Sequence, residues 1–296
     1  MNAIETYGLT KYYGKVVGIE NLNLAVRSGE IFGFLGPNGA GKTTTIRILM
    51  DLIRPTSGRA EIFGLDVRIH SLEIRQRLGN LPGDVSLYEN LSGAEFLQLM
   101  ASLHGNRDSR RRDELAMRLD LDLSRKIHTY SKGMKQKVAI IQALTHDPEL
   151  LVLDEPTSGL DPLMQREFYD LLKEEKQRGK TVFLSSHILP EVERVCDRVG
   201  LLRRGLLVAV ENIEDLKTRR VRKMQLTLRE KVPEESLRIP GTSLSSYQDR
   251  QAELTVYGHI GELVPKLAEL PLEDIVFPEA TLEDTFMRFY GEDTKR

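Results

Sequence analysis

The sequence predicts an α/β protein built on a parallel sheet, with a helical region inserted in it and a small α+β domain at its C-terminal end. Apolar strand-like runs alternate with stretches of helical spacing over most of the chain, the pattern of a parallel sheet wrapped by helices. A glycine-rich turn joins one of those strands to a helix. A basic stretch, "EDLKTRRVRK", separates this region from further strand-like runs downstream.

Taken in order, "LNLAVRSGEIFGFL" reads as strand, Ser-Gly-Glu turn, strand. In "GPNGAGKTTTIRILMDLI" the residues Ile46, Leu49, Met50 and Ile53 recur at helical spacing, so a helix starts near Lys42, and residues 55–58 are expected to stop it. Residues from about 87 to 145 are helical in pattern. Within them "SGAE" at 92–95 is a capping box, and Phe96, Leu99, Met100 and Leu103 form the expected apolar face. "NRDSRRRDE" reads as a solvated loop or helix start. Strand character returns at 150–153 and at "TVFLSS". Each is followed by a helical pattern, first Met164, Phe168 and Leu171, then Leu189, Val192, Cys196 and Val199. Cys196 is expected to pack in the core. Beyond the boundary, "VRKMQLTL", "AELTVYG" and "EDIVF" read as strands. "IGELVPKLAEL" reads as a helix with Ile260, Leu263, Val264 and Leu267 on one face, and "TLEDTFMRFY" as a helix capped by Thr281. The expected division is residues 1–216 and 217–296, with the basic cluster 217–223 read as a solvated linker and, as the weaker alternative, a membrane-surface or regulatory contact.

Composition narrows the function. Of 296 residues, 42 are Lys or Arg and 44 are Asp or Glu. That balance gives no reason to expect a nucleic-acid partner. The single cysteine cannot form an intrachain disulfide, which fits a reducing compartment. "MNAIETYGL" lacks the basic and apolar regions of a secretory signal, and no apolar run reaches the roughly 18 residues of a membrane span. A cytoplasmic protein is expected, reaching a membrane only through a partner. His70, His104, His128, His146, His187 and His259 show no metal-ligand spacing.

"GPNGAGKT", residues 36–43, fits G-x-x-x-x-G-K-[ST] and stands where its mechanism requires, after a strand and opening a helix. Glycines let the backbone wrap phosphates with N–H groups turned inward, and the helix N-terminus adds partial positive charge. Gly36, Pro37, Asn38, Gly39, Ala40, Gly41, Lys42, Thr43 and Thr44 are the candidate ATP-binding residues. Lys42 is expected to reach the β- and γ-phosphates, and Thr43 to ligate Mg²⁺. This explains "LLVLDEP", where an apolar strand ends in two acids. Asp154 suits the metal. Glu155, turned the other way, can polarise an attacking water.

With these motifs in place, the sequence resembles the ATP-binding cassette (ABC) ATPases, the nucleotide-binding subunits of ABC transporters. "YYG" precedes the first cassette strands, with Tyr13 where the family stacks an aromatic ring on adenine. "YSKGMKQ" resembles the LSGGQ signature and retains Ser131 and Gly133. "LLVLDE" matches Walker B, "SGLD" the D-loop with Asp161, and "SSH" the switch histidine, His187. The implied fold is a phosphate-loop ABC ATPase core with an inserted helical subdomain, plus a small C-terminal α+β domain. The resemblance implies that two copies, or a copy and a homologous cassette, sandwich ATP head to tail. Ser131, Gly133 and Asp161 would act across the interface, and Glu155 and His187 at the chain's own site.

Two departures stand out. Lys132 and Met134 replace a glycine and the glutamine of the signature, with Lys132 either attracting phosphate or facing solvent. At the Q-loop glutamine position stands Gly83, followed by Asp84, which either takes over part of the metal contact or is an ordinary loop residue. The variant signature and C-terminal extension look like prokaryotic exporter cassettes that drive a separate membrane permease from the inner face of the membrane. The alternatives are a soluble ABC ATPase of translation or DNA repair, disfavoured by the single phosphate loop and lack of heptads, and a non-hydrolysing regulator, disfavoured by Lys42, Asp154, Glu155 and His187.

Overall fold

The computed structural model describes residues 1–105, 109–218, 222–257 and 260–277. It opens with an antiparallel pair, β1 (Asn2–Tyr13) and β2 (Val16–Arg27). Tyr12 and Tyr13 thus end the first strand rather than precede it, and Gly14, at φ 61°, makes the turn. Next come β3 (Ile31–Leu35), α1 (Lys42–Leu49), β4 (Ser57–Ile62), β5 (Leu65–Asp66), α2 (Ser71–Gln76) and β6 (Leu78–Leu81). The helical region holds α3 (Gly93–Leu103), α4 (Arg110–Arg118) and α5 (Lys132–Thr145). The chain returns through β7 (Leu150–Asp154), α6 (Pro162–Gln177), β8 (Thr181–Ser186), α7 (Leu189–Val195), β9 (Arg198–Arg203) and β10 (Leu206–Asn212). These lie in one compact unit, Met1–Ile213, and a second unit begins at Glu214.

The main sheet has the order β10-β9-β3-β8-β7-β6, parallel from β9 to β6, with β10 antiparallel on the edge. All residues of β3, β7 and β8 are buried, as expected for parallel strands covered on both faces. Phe32 and Phe183 are register partners whose rings stack at 6.0 Å. A second sheet, β2-β1-β4-β5, is antiparallel. One apolar cluster joins both sheets through α1, with Ile4, Ile19, Phe34, Ile48 and Phe183 among its members.

The helical region rests on α6 partly through ion pairs. Arg118 reaches Glu167 at 2.7 Å and Glu174 at 2.5 Å, and Arg111 pairs with buried Glu175. Gly79 of β6 passes so near α5 that a Cβ there would lie 2.1 Å from the Ala143 carbonyl oxygen.

Several expectations need correcting. α1 ends at Leu49, ahead of Pro55, and Gly58 lies inside β4. The buried face of α3 is Phe96, Leu97 and Ala101, while Leu99 and Leu103 are exposed. α7 ends at Val195. Cys196 follows it, buried as expected, and Val199 belongs to β9.

α8 (Ile213–Thr218) begins at the last residue of the first unit, and the second unit then contains β11 (Arg222–Leu228), β12 (Thr242–Gln248), β13 (Gln251–Val256), α9 (Ile260–Leu267) and β14 (Leu272–Val276). Its sheet runs β12-β13-β11-β14, all antiparallel. Met224, Leu226, Leu254 and Val256 pack against Leu263 and Leu267, while Val264 is exposed. The sequence reading found β11, β13, β14 and α9 but not β12, whose Ser-rich "TSLSSYQ" has a weak apolar pattern. His259 and the helix expected at 281–290 lie outside the described residues. Among the described residues no helix is long and apolar enough to cross a membrane.

The capping box is present. Ser92 accepts from the Glu95 backbone N–H, and Glu95 accepts from that of Ser92 at 2.6 Å. This backbone bond, with Lys126 beside it, lowers the Glu95 carboxyl from 4.5 to about 2. A depressed carboxyl stabilises the folded state above its unfolded value and loses that effect as the pH falls through the folded one. The stability difference between the wild type and Glu95→Ala, read from chemical unfolding at a series of pH values, should therefore hold above about pH 4.5 and narrow toward pH 2.

Candidate nucleotide site

Strand register sets the site. Leu35 of β3 pairs with Ser186 of β8, and Asp154 of β7 pairs with Ser185. The C-terminal ends of the three strands are therefore level, and the phosphate loop, the acid pair and His187 all leave the sheet at one edge. In open α/β sheets that edge is where ligands bind.

The loop between β3 and α1 folds tightly enough to need its glycines. A Cβ on Gly36 would lie 2.3 Å from the Leu202 carbonyl oxygen. One on Gly41, at φ 111°, would lie 2.4 Å from that of Gly18. Lys42 is buried and bends back into the loop, donating to the carbonyls of Gly36 at 2.7 Å and Pro37 at 3.3 Å. Its Nζ also lies 3.4 Å from Glu155 Oε1.

The two acids are compensated differently. Asp154 is 2% exposed, and Ser185 Oγ donates to its Oδ1. The same hydroxyl accepts from the Glu155 backbone N–H at 3.1 Å. Glu155 takes φ 47°, the left-handed region that non-glycine residues seldom enter. Its side chain meets two nitrogens, Lys42 Nζ and His187 Nδ1, the latter at 3.1 Å. One carboxylate oxygen thus faces an ammonium and an imidazole, an arrangement suited to proton handling beside a phosphate.

Two cavities open beside this cluster, and Thr43 and Glu155 line both. One, about 280 Å³, is also lined by Tyr13, Asn38, Gly39, Gly41, Lys42 and Thr44. Tyr13 is exposed there. The other, about 360 Å³, is lined by Asn80, Gly83, Asp84 and Asp154 among others. A Cβ at Gly83 would start 3.0 Å from Asp154 Oδ2, so glycine there lets this loop close on the acid. Asp84 is exposed at the rim. Among the described residues no three His, Cys, Asp or Glu side chains form a metal-binding group by themselves.

Ser131, Gly133 and Asp161 line neither cavity. Ser131 caps α5, accepting from the Met134 N–H at 3.2 Å. Asp161 caps α6 through Oδ1, which accepts from Leu163 and Met164 at 3.0 Å each. Gly133 packs on the chain's own D-loop, where its Cβ would lie 2.6 Å from the Gly159 carbonyl oxygen. Lys132 is exposed.

The sequence reading missed Ser185 as the partner of Asp154, and Gln136, which is buried and donates to the Pro156 carbonyl at 2.8 Å. The serine pair ending "TVFLSS" was a usable signal, because hydroxyls closing an apolar strand need partners.

Comparison with known proteins agrees with this geometry. Residues 19–158 match the family described as ABC transporter. Along nearly its whole length the chain is similar to the bacitracin transport ATP-binding protein BcrA of Bacillus licheniformis, at 38% identity over 98% of each chain. It is also similar to the daunorubicin resistance ATP-binding protein DrrA3 of Streptomyces coeruleorubidus, at 35% identity over 99% of this chain and 97% of that one. Among solved structures, a dimeric post-hydrolysis ATP-binding cassette bound to ADP and Pi matches 71% of this chain and 98% of its own, with a TM-score of 0.65 and 25% identity. Relatives aligned end to end, on a fold whose phosphate loop and acid pair meet at one sheet edge, make this chain a member of the ATP-binding subunits of ABC transporters.

Proposed function

We propose that this chain binds and hydrolyses ATP to drive export through a membrane permease carried on a separate chain. The observation that carries the reading is the convergence of Lys42 and His187 on Glu155 Oε1, with Asp154 and Thr43 beside them. Loop residues 36–44 cradle the phosphates through backbone N–H groups, Lys42 binds them by charge, and Tyr13 stacks on adenine. Glu155 takes the proton of the attacking water. His187 orients that carboxylate and contacts the γ-phosphate.

Thr43 and Asp154 offer hard oxygen donors at one cavity, and Ser185 occupies only Oδ1 of Asp154. They fit Mg²⁺, which they would hold and which, when bound, neutralises charge on the phosphates. Asp84 is a third, water-facing donor at the same cavity, standing in for the glutamine that Gly83 replaces.

Ser131, Gly133 and Asp161 act on the ATP of a second copy of the chain or a homologous cassette. Their position outside the chain's own cavities supports this, as does the dimeric state of a related cassette. Relatives aligned over nearly the full chain and named for bacitracin transport and daunorubicin resistance support export over import. The cassette, residues 1–216, sits at the cytoplasmic face of the membrane through the permease, and residues 217–296 form its accessory domain.

Replacing Glu155 with Gln should leave ATP binding intact and slow turnover by roughly 10²–10⁴-fold, the range for loss of a general base. Turnover within about twofold of wild type, measured by phosphate release, would remove Glu155 from this role. Ser131→Arg should abolish hydrolysis while calorimetry still detects binding of Mg-ATP by the monomer, since the added bulk meets only a partner's nucleotide. Asp84→Ala should raise the Mg²⁺ concentration needed for half-maximal turnover, because a hard cation loses an anionic ligand. An unshifted Mg²⁺ midpoint would leave Asp84 as a loop residue.

A further inference from the structure

Glu191, in the first turn of α7, is a buried carboxylate, 8% exposed, that the roles above do not use. Its oxygens are met by hydroxyls. Thr157 Oγ1 donates to Oε1 at 2.6 Å, and Ser186 Oγ donates to Oε2 at 2.7 Å. The phenol of Tyr169 lies close enough to feel this carboxylate. Burial, and then this carboxylate, raise the Tyr169 phenol well above its usual range.

The two donors and the neighbouring phenol come from three different segments. Thr157 lies in the loop that runs from Glu155 to Asp161. Ser186 ends β8, immediately before His187. Tyr169 is on α6, the helix that Asp161 caps. Ser186 Oγ also accepts from the Ile188 backbone N–H at 2.9 Å, so His187 is held from both sides by one hydroxyl.

Packing of α7 does not need this carboxylate. Val192 and Cys196 are buried against β3, so close that a Cβ on Gly33 would lie 2.7 Å from Val192 Cγ1 and 2.9 Å from Cys196 Sγ. A carboxylate buried among neutral donors is costly to desolvate, and the short bonds offset that cost only while all the segments hold their places. We infer that Glu191 is a positioning residue that holds His187 against Glu155 and locks that pair to the loop leading to Asp161. The inference rests on the roles proposed above for Glu155 and His187.

The test uses the full chain, with single-turnover phosphate release and Mg-ATP affinity measured on each variant. Glu191→Gln keeps the shape and one acceptor oxygen. It should lower the hydrolysis rate by roughly 10–100-fold, the usual effect of losing an outer positioning contact. Mg-ATP affinity should stay within about twofold of wild type, because the phosphate loop is untouched. In a His187→Ala background the same substitution should change the rate by no more than about twofold, since the ring it positions is gone. Ser186→Ala and Thr157→Val, each removing one arm, should reproduce part of the loss and supply the same test if Glu191→Gln does not fold. The inference is overturned if Glu191→Gln hydrolyses at the wild-type rate, if its loss is as large without His187 as with it, or if Mg-ATP affinity falls in step with the rate. A defective His187→Ala beside a normal Glu191→Gln would fail this inference alone. A fully active His187→Ala would fail the proposed role of His187 and carry the inference down with it.

Discussion

A carboxylate delivered to the end of a buried strand has to be compensated where the strand stops, and β7 delivers two in succession. Parallel pairing with β8 makes this possible. It sets Ser185 level with Asp154, so that one hydroxyl donates to Oδ1 of the first acid and also accepts from the backbone N–H of the second. Glu155 leaves the strand in the left-handed region, at φ 47°. Glu155 is met by Lys42, whose own burial is offset by loop carbonyls, and by His187, which leaves the sheet from the strand that carried Ser185. Remove β8 from its place between β3 and β7, and the loop, the acids and the histidine no longer share an edge.

Legibility in the sequence followed the range of the interactions. The phosphate loop and the capping box at Ser92 are local. Each is fixed within a few residues, and each stands in the structure as the sequence implied. The antiparallel sheet was legible only in part of β2, at "LNLAV". Its β1–β2 pairing is broken by register shifts that interrupt strict alternation, and β4 begins with the exposed polar residues "SGR". Burial on α3 was misjudged for a related reason. Helical periodicity shows which residues share a face but not which face finds a neighbour, and Leu99 and Leu103 share one that meets water.

The links among site residues were the least legible part. Nothing within ten positions of Asp154 announces that its partner is Ser185, because that pairing is a consequence of strand register. Gln136 and Glu191 are alike in this. Each is a polar residue on a helix that looks solvated in sequence, yet each is buried against the loop that follows Glu155, through Pro156 and Thr157 respectively. That loop is held from the α5 side and the α7 side at adjacent residues, so a displacement of either helix is felt next to Glu155.

The departures from the LSGGQ pattern make physical sense in the same terms. Position 132 is the first residue of α5 and does not take a positive φ, so a side chain there meets no backbone barrier, and Lys132 extends into solvent. What position 134 contributes to the cap is its backbone N–H, received by Ser131, and any residue but proline supplies that. Ser131 and Gly133 are constrained differently. The hydroxyl of Ser131 is the cap itself, and losing such a cap costs about 0.5–2 kcal/mol. Gly133 is pressed so closely on the Gly159 carbonyl that even an alanine methyl would have to push the D-loop away. The two signature residues that persist are thus the two whose side chains, or lack of one, fix the end of α5 against the loop descending from Glu155. That requirement is internal to one chain, and it ties the start of α5 to the loop that follows Glu155.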